Sequence, residues 1–188
     1  NTVVSISSSN GGIYLSEASA TLGTFTGLVA HSNTAYGANF ASAGMSGSLS
    51  IVSWRNNSSG ILVNASQTEV ILESVVLFGN SVSNLSFGSS AQSFITLNSP
   101  TLSGDTTFST TTGILLPSSI TVVKLVINNG DFSTVTGIKT AHTNDININA
   151  AAQGALLFLQ NTKLGAATEI ASQSSLSSTS FFASTRSG

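Results

Sequence analysis

The sequence predicts an all-β protein wound as a right-handed parallel β-helix, a form of β-solenoid. β-Prone segments of four to nine residues recur about every 8 to 12 residues, with glycine, asparagine and serine between them. No segment has a sustained apolar period of 3.6 residues with helix caps. Four segments open on Gly12, Gly60, Gly113 and Gly154, each followed by Ile or Ala. Their separations of 48, 53 and 41 residues lie near two windings of roughly 20 to 25 residues each.

In the first part of the chain, strands are predicted wherever β-branched and aromatic residues lie between turn residues. Residues 48–54 (SLSIVSW) alternate, which places Leu49 and Ile51 on one face and Val52 and Trp54 on the other. Residues 32–47 are rich in small side chains and are predicted as a loop or a short helix. The other predicted strands here are residues 2–7, 12–16 and 21–30.

The stretch from Gly60 to Asn80 (GILVNASQTEVILESVVLFGN) contains three β-prone segments and is interpreted as one winding. A bend at Ser74 would favour the solenoid. An unbroken strand there would favour the alternative fold, a β-sandwich or jelly-roll filament subunit with strand exchange. In that alternative, residues 2–7 would complete the sheet of a neighbouring subunit.

The second part continues the pattern within one predicted domain, residues 1–188, a length that can bury a sizeable core. Residues 120–128 (ITVVKLVIN) form the strongest predicted strand, and residues 172–188 are interpreted as a cap or docking tail. The other predicted strands are residues 84–87, 93–98, 106–112, 113–116, 135–140, 145–150, 154–160 and 168–171.

The composition indicates a protein of the extracellular space or cell surface that associates with copies of itself. Charged residues make up 6% of the chain, against about 25% in ordinary soluble domains, so hydroxyls and amides cover the surface. The net charge of -2 provides little repulsion between copies. The absence of cysteine excludes disulfides and thiolate metal sites, and five basic residues are too few for a nucleic-acid partner. No apolar run is long enough to span a membrane, and the N-terminus is interpreted as processed or excised.

Two short phrases resemble a known family. Residues 11–16 (GGIYLS) and 78–81 (FGNS) resemble the GGAI and FxxN signatures of the polymorphic outer-membrane-protein adhesins. Here the alanine of GGAI is missing, and the second phrase is one residue shorter. The resemblance implies a secreted right-handed β-helix passenger that contacts host cells.

Two combinations of residues superficially indicate catalysis. Glu69 and Glu73 share one face of a strand, but residues four apart on a strand are roughly 13 Å apart, too far for a glycosidase acid pair. We therefore expect both to face solvent. His142 and Asp145 suggest a hydrolytic triad among the serines, yet three residues of separation do not establish a contact and no G-x-S-x-G is present. His31 lies in a polar turn without a nearby acid.

Turn residues suggest binding or modification instead. Asp105, Asp131 and Asp145 would bind calcium only if their turns stack, and aspartate in a turn commonly satisfies local backbone donors. The threonines at 106, 107, 110, 111 and 112 form a single run, too little for the flat array of an ice-binding protein. Four asparagines begin N-x-S sequons and are predicted N-glycosylation sites: Asn56, Asn57, Asn64 and Asn84.

The sequence therefore predicts a non-catalytic extracellular structural or adhesive protein, a module or subunit of a surface filament or fibre. Its expected partners are copies of itself, glycans or cell surfaces, and no metal or other cofactor is expected. Two alternatives are a carbohydrate-binding or carbohydrate-cleaving β-helix of the viral tailspike type and an ice-binding protein.

Overall fold

A computed structural model describes residues 4–7, 11–15, 21–64, 67–88, 92–106, 112–116, 122–133, 137–148, 155–172 and 180–184. Within them the chain forms strands and no helix, and so no helix that would cross a bilayer. The strands are β1 (Val4–Ser7), β2 (Gly11–Leu15), β3 (Thr21–His31), β4 (Ala38–Phe40), β5 (Ser46–Trp54), β6 (Ser59–Val63), β7 (Gln67–Glu73), β8 (Val76–Phe78), β9 (Ser83–Phe87), β10 (Gln92–Asn98), β11 (Thr101–Asp105), β12 (Thr112–Leu116), β13 (Val122–Asn128), β14 (Lys139–Thr140), β15 (Asn144–Ile148), β16 (Ala155–Gln160), β17 (Thr168–Ser172) and β18 (Ser180–Ser184).

The strands stack into a parallel β-solenoid. The first sheet has the order β1-β2-β4-β6-β9-β12-β15-β17, and every pair after β1-β2 is parallel. Each rung, meaning one winding of the chain, continues from a first-sheet strand into the second sheet. Equivalent first-sheet positions run Ile13, Ala38, Ile61, Leu85, Ile114, Ile146 and Ile170, spaced by 25, 23, 24, 29, 32 and 24 residues. The predicted β-helix is confirmed.

A backbone bend divides the second sheet into two faces. Ser74 has φ 49°, and Ser99, Asn129 and Asn161 occupy the same position on later rungs with φ of 50°, 54° and 47°. The N–H groups of Ser74, Ser99 and Asn129 still donate to the next rung. The bend therefore turns the chain without breaking the ladder between rungs. Because β7 ends at Glu73 and β8 begins at Val76, the sandwich alternative is wrong.

The core is the space enclosed by the rungs. Inward side chains of consecutive strands stack in columns such as Leu49, Leu72, Leu97 and Ile127, all buried. The alternation predicted for residues 48–54 is confirmed, since Leu49 and Ile51 are buried whereas Val52 and Trp54 are only half-buried. Apolar inward side chains from successive rungs form one continuous hydrophobic cluster.

Several local predictions fall differently in the structure. Residues 32–47 contain a corner, β4 and a turn rather than a helix. β1 pairs antiparallel with β2 of its own chain, and β18, in the predicted tail, extends the second sheet beside β16. Ala155 begins a second-sheet strand, so the fourth Gly-Ile-like opening is not equivalent to the other three; Gly154 itself lies outside the described residues.

The Gly-Ile openings mark positions where a side chain would collide with the adjacent corner. Gly12, Gly37, Gly60 and Gly113 precede equivalent residues of the first sheet. A Cβ on Gly12 would lie 2.9 Å from Asn33 Nδ2, and one on Gly60 would lie 2.7 Å from Asn80 Nδ2. Each glycine leaves room for a polar side chain from the corner of the same rung.

Replacing Gly37 tests this packing. In Gly37→Ala the new Cβ would overlap Ser53 Oγ and lie 2.5 Å from the Gly60 carbonyl oxygen, so the corner must shift. We expect a loss of about 2 kcal/mol or more in the free energy of unfolding, measured by chemical denaturation. Gly23→Ala is the matched control, because no atom lies within 4 Å of its Cβ and its stability should change by about 0.5 kcal/mol or less. Equal effects of the two changes would contradict the packing described.

Candidate functional site

A chain of hydrogen-bonded polar side chains runs inside the corner of the solenoid. Asn33 Nδ2 donates to Asn56 Oδ1 (2.7 Å), and Asn56 Nδ2 donates to Asn80 Oδ1 (2.8 Å). Asn80 Nδ2 then donates to Asn84 Oδ1 (2.8 Å). An amide can donate and accept at once, so equivalent asparagines on successive rungs satisfy one another. The chain continues through His142 to Asp145, and we call these six residues the polar column.

The end of the polar column that is later in the sequence contains the predicted His–Asp pair. His142 Nδ1 lies 3.0 Å from Asp145 Oδ1, and the two backbone N–H groups of Gly165 and Ala166 donate to Asp145 Oδ2 at 2.7 and 2.9 Å. Asn84 Nδ2 donates to the Ser103 carbonyl oxygen (2.8 Å) and lies 2.9 Å from His142 Nε2. This network assigns the imidazole proton to Nδ1 and makes Nε2 an acceptor.

The His–Asp contact exists, but it does not form a triad. In a hydrolytic triad, histidine Nε2 accepts a proton from a nucleophilic hydroxyl. Here Nε2 accepts from the Asn84 amide, and the side chains of His142 and Asp145 are wholly buried. In the part of the chain that the structure describes, the imidazole is therefore shielded from solvent. The pair stabilises a corner.

The other predicted carboxylates are also separated. Asp105 is buried and accepts from Arg55 Nε at 3.1 Å, whereas Asp131 Oδ1 accepts from the backbone N and hydroxyl of Ser133. With Asp145 in the polar column, the three aspartates serve three different local networks. Among the residues that the structure describes, no three histidine or carboxylate side chains are placed to hold a metal ion.

The two glutamates lie on the outward side of β7. Glu69 is exposed, whereas Glu73 is half-buried and Oε1 accepts from Asn98 Nδ2 at 2.7 Å. Asn98 Oδ1 in turn accepts from Asn128 Nδ2 at 2.9 Å, so Glu73 ends a second, external amide ladder. The two carboxylates therefore have different surroundings, and Glu69 lines a surface depression.

That depression lies on the outward surface of the second sheet. It has a volume of about 240 Å³ and is lined by Glu69, Phe94, Ile95, Thr96, Lys124 and Val126. Phe94 is 50% exposed. Lys124 is exposed, and its Nζ lies 5.8 Å from the centroid of the Phe158 ring. We use the name outer face for the outward side chains of β5, β7, β10, β13 and β16. It carries an acid, a base and an exposed aromatic ring.

A stack of aromatic rings lies beyond the bend. The His31 and Trp54 centroids are 4.5 Å apart with planes at 15°, and those of Trp54 and Phe78 are 5.8 Å apart at 3°. Lys139 Nζ lies 5.7 Å from the Phe78 centroid. Because these rings face one another, the Trp54 and Phe78 faces that a sugar would stack on are already occupied. His31 belongs to this stack.

The predicted glycosylation sites divide into two pairs. Asn57 and Asn64 are exposed. Asn56 and Asn84 are wholly buried. The Nδ2 atom that would carry a sugar donates to Asn80 in the first case and to the Ser103 carbonyl oxygen and His142 in the second. A glycan on either buried asparagine is incompatible with the folded corner. Glycosylation of Asn57 and Asn64 stays a prediction.

The threonine run is only partly described. Thr107, Thr110 and Thr111 lie outside the described residues, and Thr112 is buried. Thr112 pairs with Ser83 and Asn144 in the first sheet. Its hydroxyl is therefore turned away from solvent, whereas an ice-binding array needs hydroxyls that are exposed.

Sequence reasoning missed the polar column and the role of Phe94 and Lys124. A weak signal exists for the column: Asn33, Asn56 and Asn80 are spaced by 23 and 24 residues, and each follows a residue with positive φ in the structure. No comparable spacing marks the outer face, because its residues come from strands separated by loops of unequal length.

Comparison of the chain with protein-family models, with curated proteins and with solved structures found no match. The resemblance to the polymorphic outer-membrane-protein adhesins therefore rests on the two sequence phrases alone and stays a prediction.

The first test of the polar column is Asn56→Ala. The change removes the acceptor for Asn33 and the side-chain donor to Asn80, which leaves buried polar groups unpaired. We expect the free energy of unfolding to fall by about 2 to 4 kcal/mol. The control is Asn57→Ala, one residue away and exposed, for which we expect a change within about 0.5 kcal/mol. A neutral Asn56→Ala would show that the column contributes nothing to stability.

The second test is Asp145→Asn, which keeps the size but adds a donor. In either amide orientation the new NH₂ meets a donor, either the His142 Nδ1–H or the N–H groups of Gly165 and Ala166. Moving the imidazole proton to Nε2 only transfers the conflict to Asn84. We expect a loss of about 2 kcal/mol or more in chemical denaturation.

The exposed carboxylate of Glu69 provides the control for this substitution. Glu69→Gln makes the same chemical change and should alter the stability by about 0.5 kcal/mol or less. An Asp145→Asn protein as stable as its parent would contradict the assigned direction of the hydrogen bonds.

Proposed function

We propose that the chain is a non-catalytic structural or adhesive β-solenoid of an extracellular or cell-surface assembly. The observation that carries this proposal is the polar column. It buries His142 and Asp145, the pair best suited to acid–base chemistry, and uses every polar atom of that pair to hold one rung to the next. We therefore assign these groups a role in stabilising the fold.

The external surface supports the same role. Amide and hydroxyl side chains make up part of the outer face, as in the ladder in which Asn128 donates to Asn98 and Asn98 donates to Glu73. The amide and hydroxyl groups of this surface vary little with pH or ionic strength, because they do not titrate and carry no charge to be screened. That property suits a protein outside the cell.

The proposal is tested by negative-stain electron microscopy together with binding to glycan arrays and to cells. We expect rods, ordered assemblies or surface binding, and no release of reducing sugar from polysaccharides. The matched variant is Glu69→Gln, because Glu69 is the carboxylate that lines the depression. Polysaccharide cleavage that disappears in Glu69→Gln would overturn the proposal in favour of an enzyme. Dispersed particles that bind no surface would also contradict it.

A further inference from the structure

The outer face has a charge pattern that is complementary to itself. Phe94 of β10 is in register with Lys124 of β13. Glu69 of β7 lies on the other side of Phe94, at a register shift just before the Val70–Ile95 pair, and all three side chains line the depression. The strands are about 4.8 Å apart, so the acid and the base lie on opposite sides of the aromatic ring. The next outward positions place Ile71 and Val126 on either side of Thr96.

From this pattern we propose that the outer face binds a second copy of the same chain, face to face and with the solenoid axes antiparallel. This inference rests on the proposed structural role and names the partner of one surface. The two-fold axis would run parallel to β10 and directly above it. Rotation about that axis exchanges β7 with β13 and leaves β10 opposite β10 of the second copy.

The rotation pairs unlike charges and similar apolar groups. Glu69 meets Lys124 of the second copy, Ile71 meets Val126, and the two Phe94 rings lie side by side at the axis. Ion pairs and aromatic contacts at the centre of an interface are the contacts that contribute most to specificity. The depression beside Phe94 leaves space for the ring of the second copy.

The outward side chains of the two flanking strands, β5 and β16, are complementary in size. β5 lies on one side of this group and β16 on the other. The rotation brings Ser46 and Ser48 of β5 opposite Leu156 and Phe158 of β16 in the second copy. Small side chains thus meet large ones, which lets two sheets pack about 10 Å apart.

The charges also exclude the other two-fold arrangement. An axis along the solenoid that passes above Ile71, the middle outward position of β7, would reverse the strand direction and bring Glu69 opposite Glu73 of the second copy. Two like charges would then face each other across a partly dry interface, which disfavours binding. Of these two arrangements, the one with its axis along β10 pairs Glu69 with a cation.

The expected affinity is modest. Seven residues at about 3.3 Å and five strands at about 4.8 Å give a face of roughly 23 by 24 Å. Two such faces bury about 1,100 Å² in total, near the lower limit for specific interfaces. We therefore expect a dimer that depends on concentration in the micromolar range rather than a permanent one.

The test is sedimentation equilibrium between about 5 and 500 µM on the parent chain and on charge variants. The parent should dimerise reversibly. Lys124→Glu and Glu69→Lys should each weaken dimerisation by about tenfold or more, because each places like charges together. The double variant, Glu69→Lys with Lys124→Glu, should recover the parent dissociation constant to within about threefold. Phe94→Ser should weaken the dimer.

Two controls separate binding from folding and from net charge. Lys163→Glu makes the same charge change at an exposed lysine beyond the bend and should leave dimerisation unchanged. Each variant should keep the denaturation midpoint of the parent to within the effect expected of a surface change.

Three outcomes would overturn the inference. These are a parent chain that is monomeric at every concentration, single charge variants that dimerise normally, and a double variant that fails to recover. A monomeric parent that binds glycans through Phe94 would assign the outer face to a sugar instead, and the proposed adhesive role would survive that result. Polysaccharide cleavage would contradict the proposed function whatever the oligomeric state.

Discussion

The polar column is the constraint on which the corners of this solenoid depend. Asn56, Asn80 and Asn84 lie where no water reaches them, and a buried amide without partners costs stability. Stacking solves this problem because each rung supplies an acceptor oxygen for the amide donor of the rung before it. The side-chain hydrogen bonds of the column run in one direction, from Asn33 to Asp145. They end on a carboxylate that also accepts from two backbone N–H groups, those of Gly165 and Ala166.

The column explains a feature of the first sheet that composition leaves unexplained. Glycine recurs at one position because the column passes directly over it, within about 3 Å of where a Cβ would be. At two rungs this position holds Asn84 and Asp145 instead, and both contribute their own side chains to the column. The crowded position is thus occupied in one of two ways. A glycine leaves space for the column, and a polar residue becomes part of it. The Gly-Ile repeat is a packing signal.

The geometry of the His142–Asp145 contact is not by itself evidence of catalytic activity. Its distance is that of a catalytic pair, yet the third partner is an amide of the column and the site is dry. A His–Asp contact is equally suited to orienting an imidazole for structure, since the carboxylate holds one tautomer in place. The contrast with the outer face is clear: its charges, Glu69 and Lys124, are those that solvent or a partner can reach.

The order of residues along the chain was sufficient to predict the fold class. Strand length, turn residues and the Gly-Ile spacing are local, and they identified the winding from Gly60 to Asn80 and the importance of a bend at Ser74. The polar column and the outer face, in contrast, are formed by the stacking of the rungs. Windings of 23 to 32 residues bring Asn84 beside His142, 58 positions away, and place Glu69 and Lys124 on either side of Phe94. Unequal loops erase any fixed spacing between such residues. Register between rungs, a property of the tertiary structure, therefore determines which polar groups are buried together and which remain on the surface.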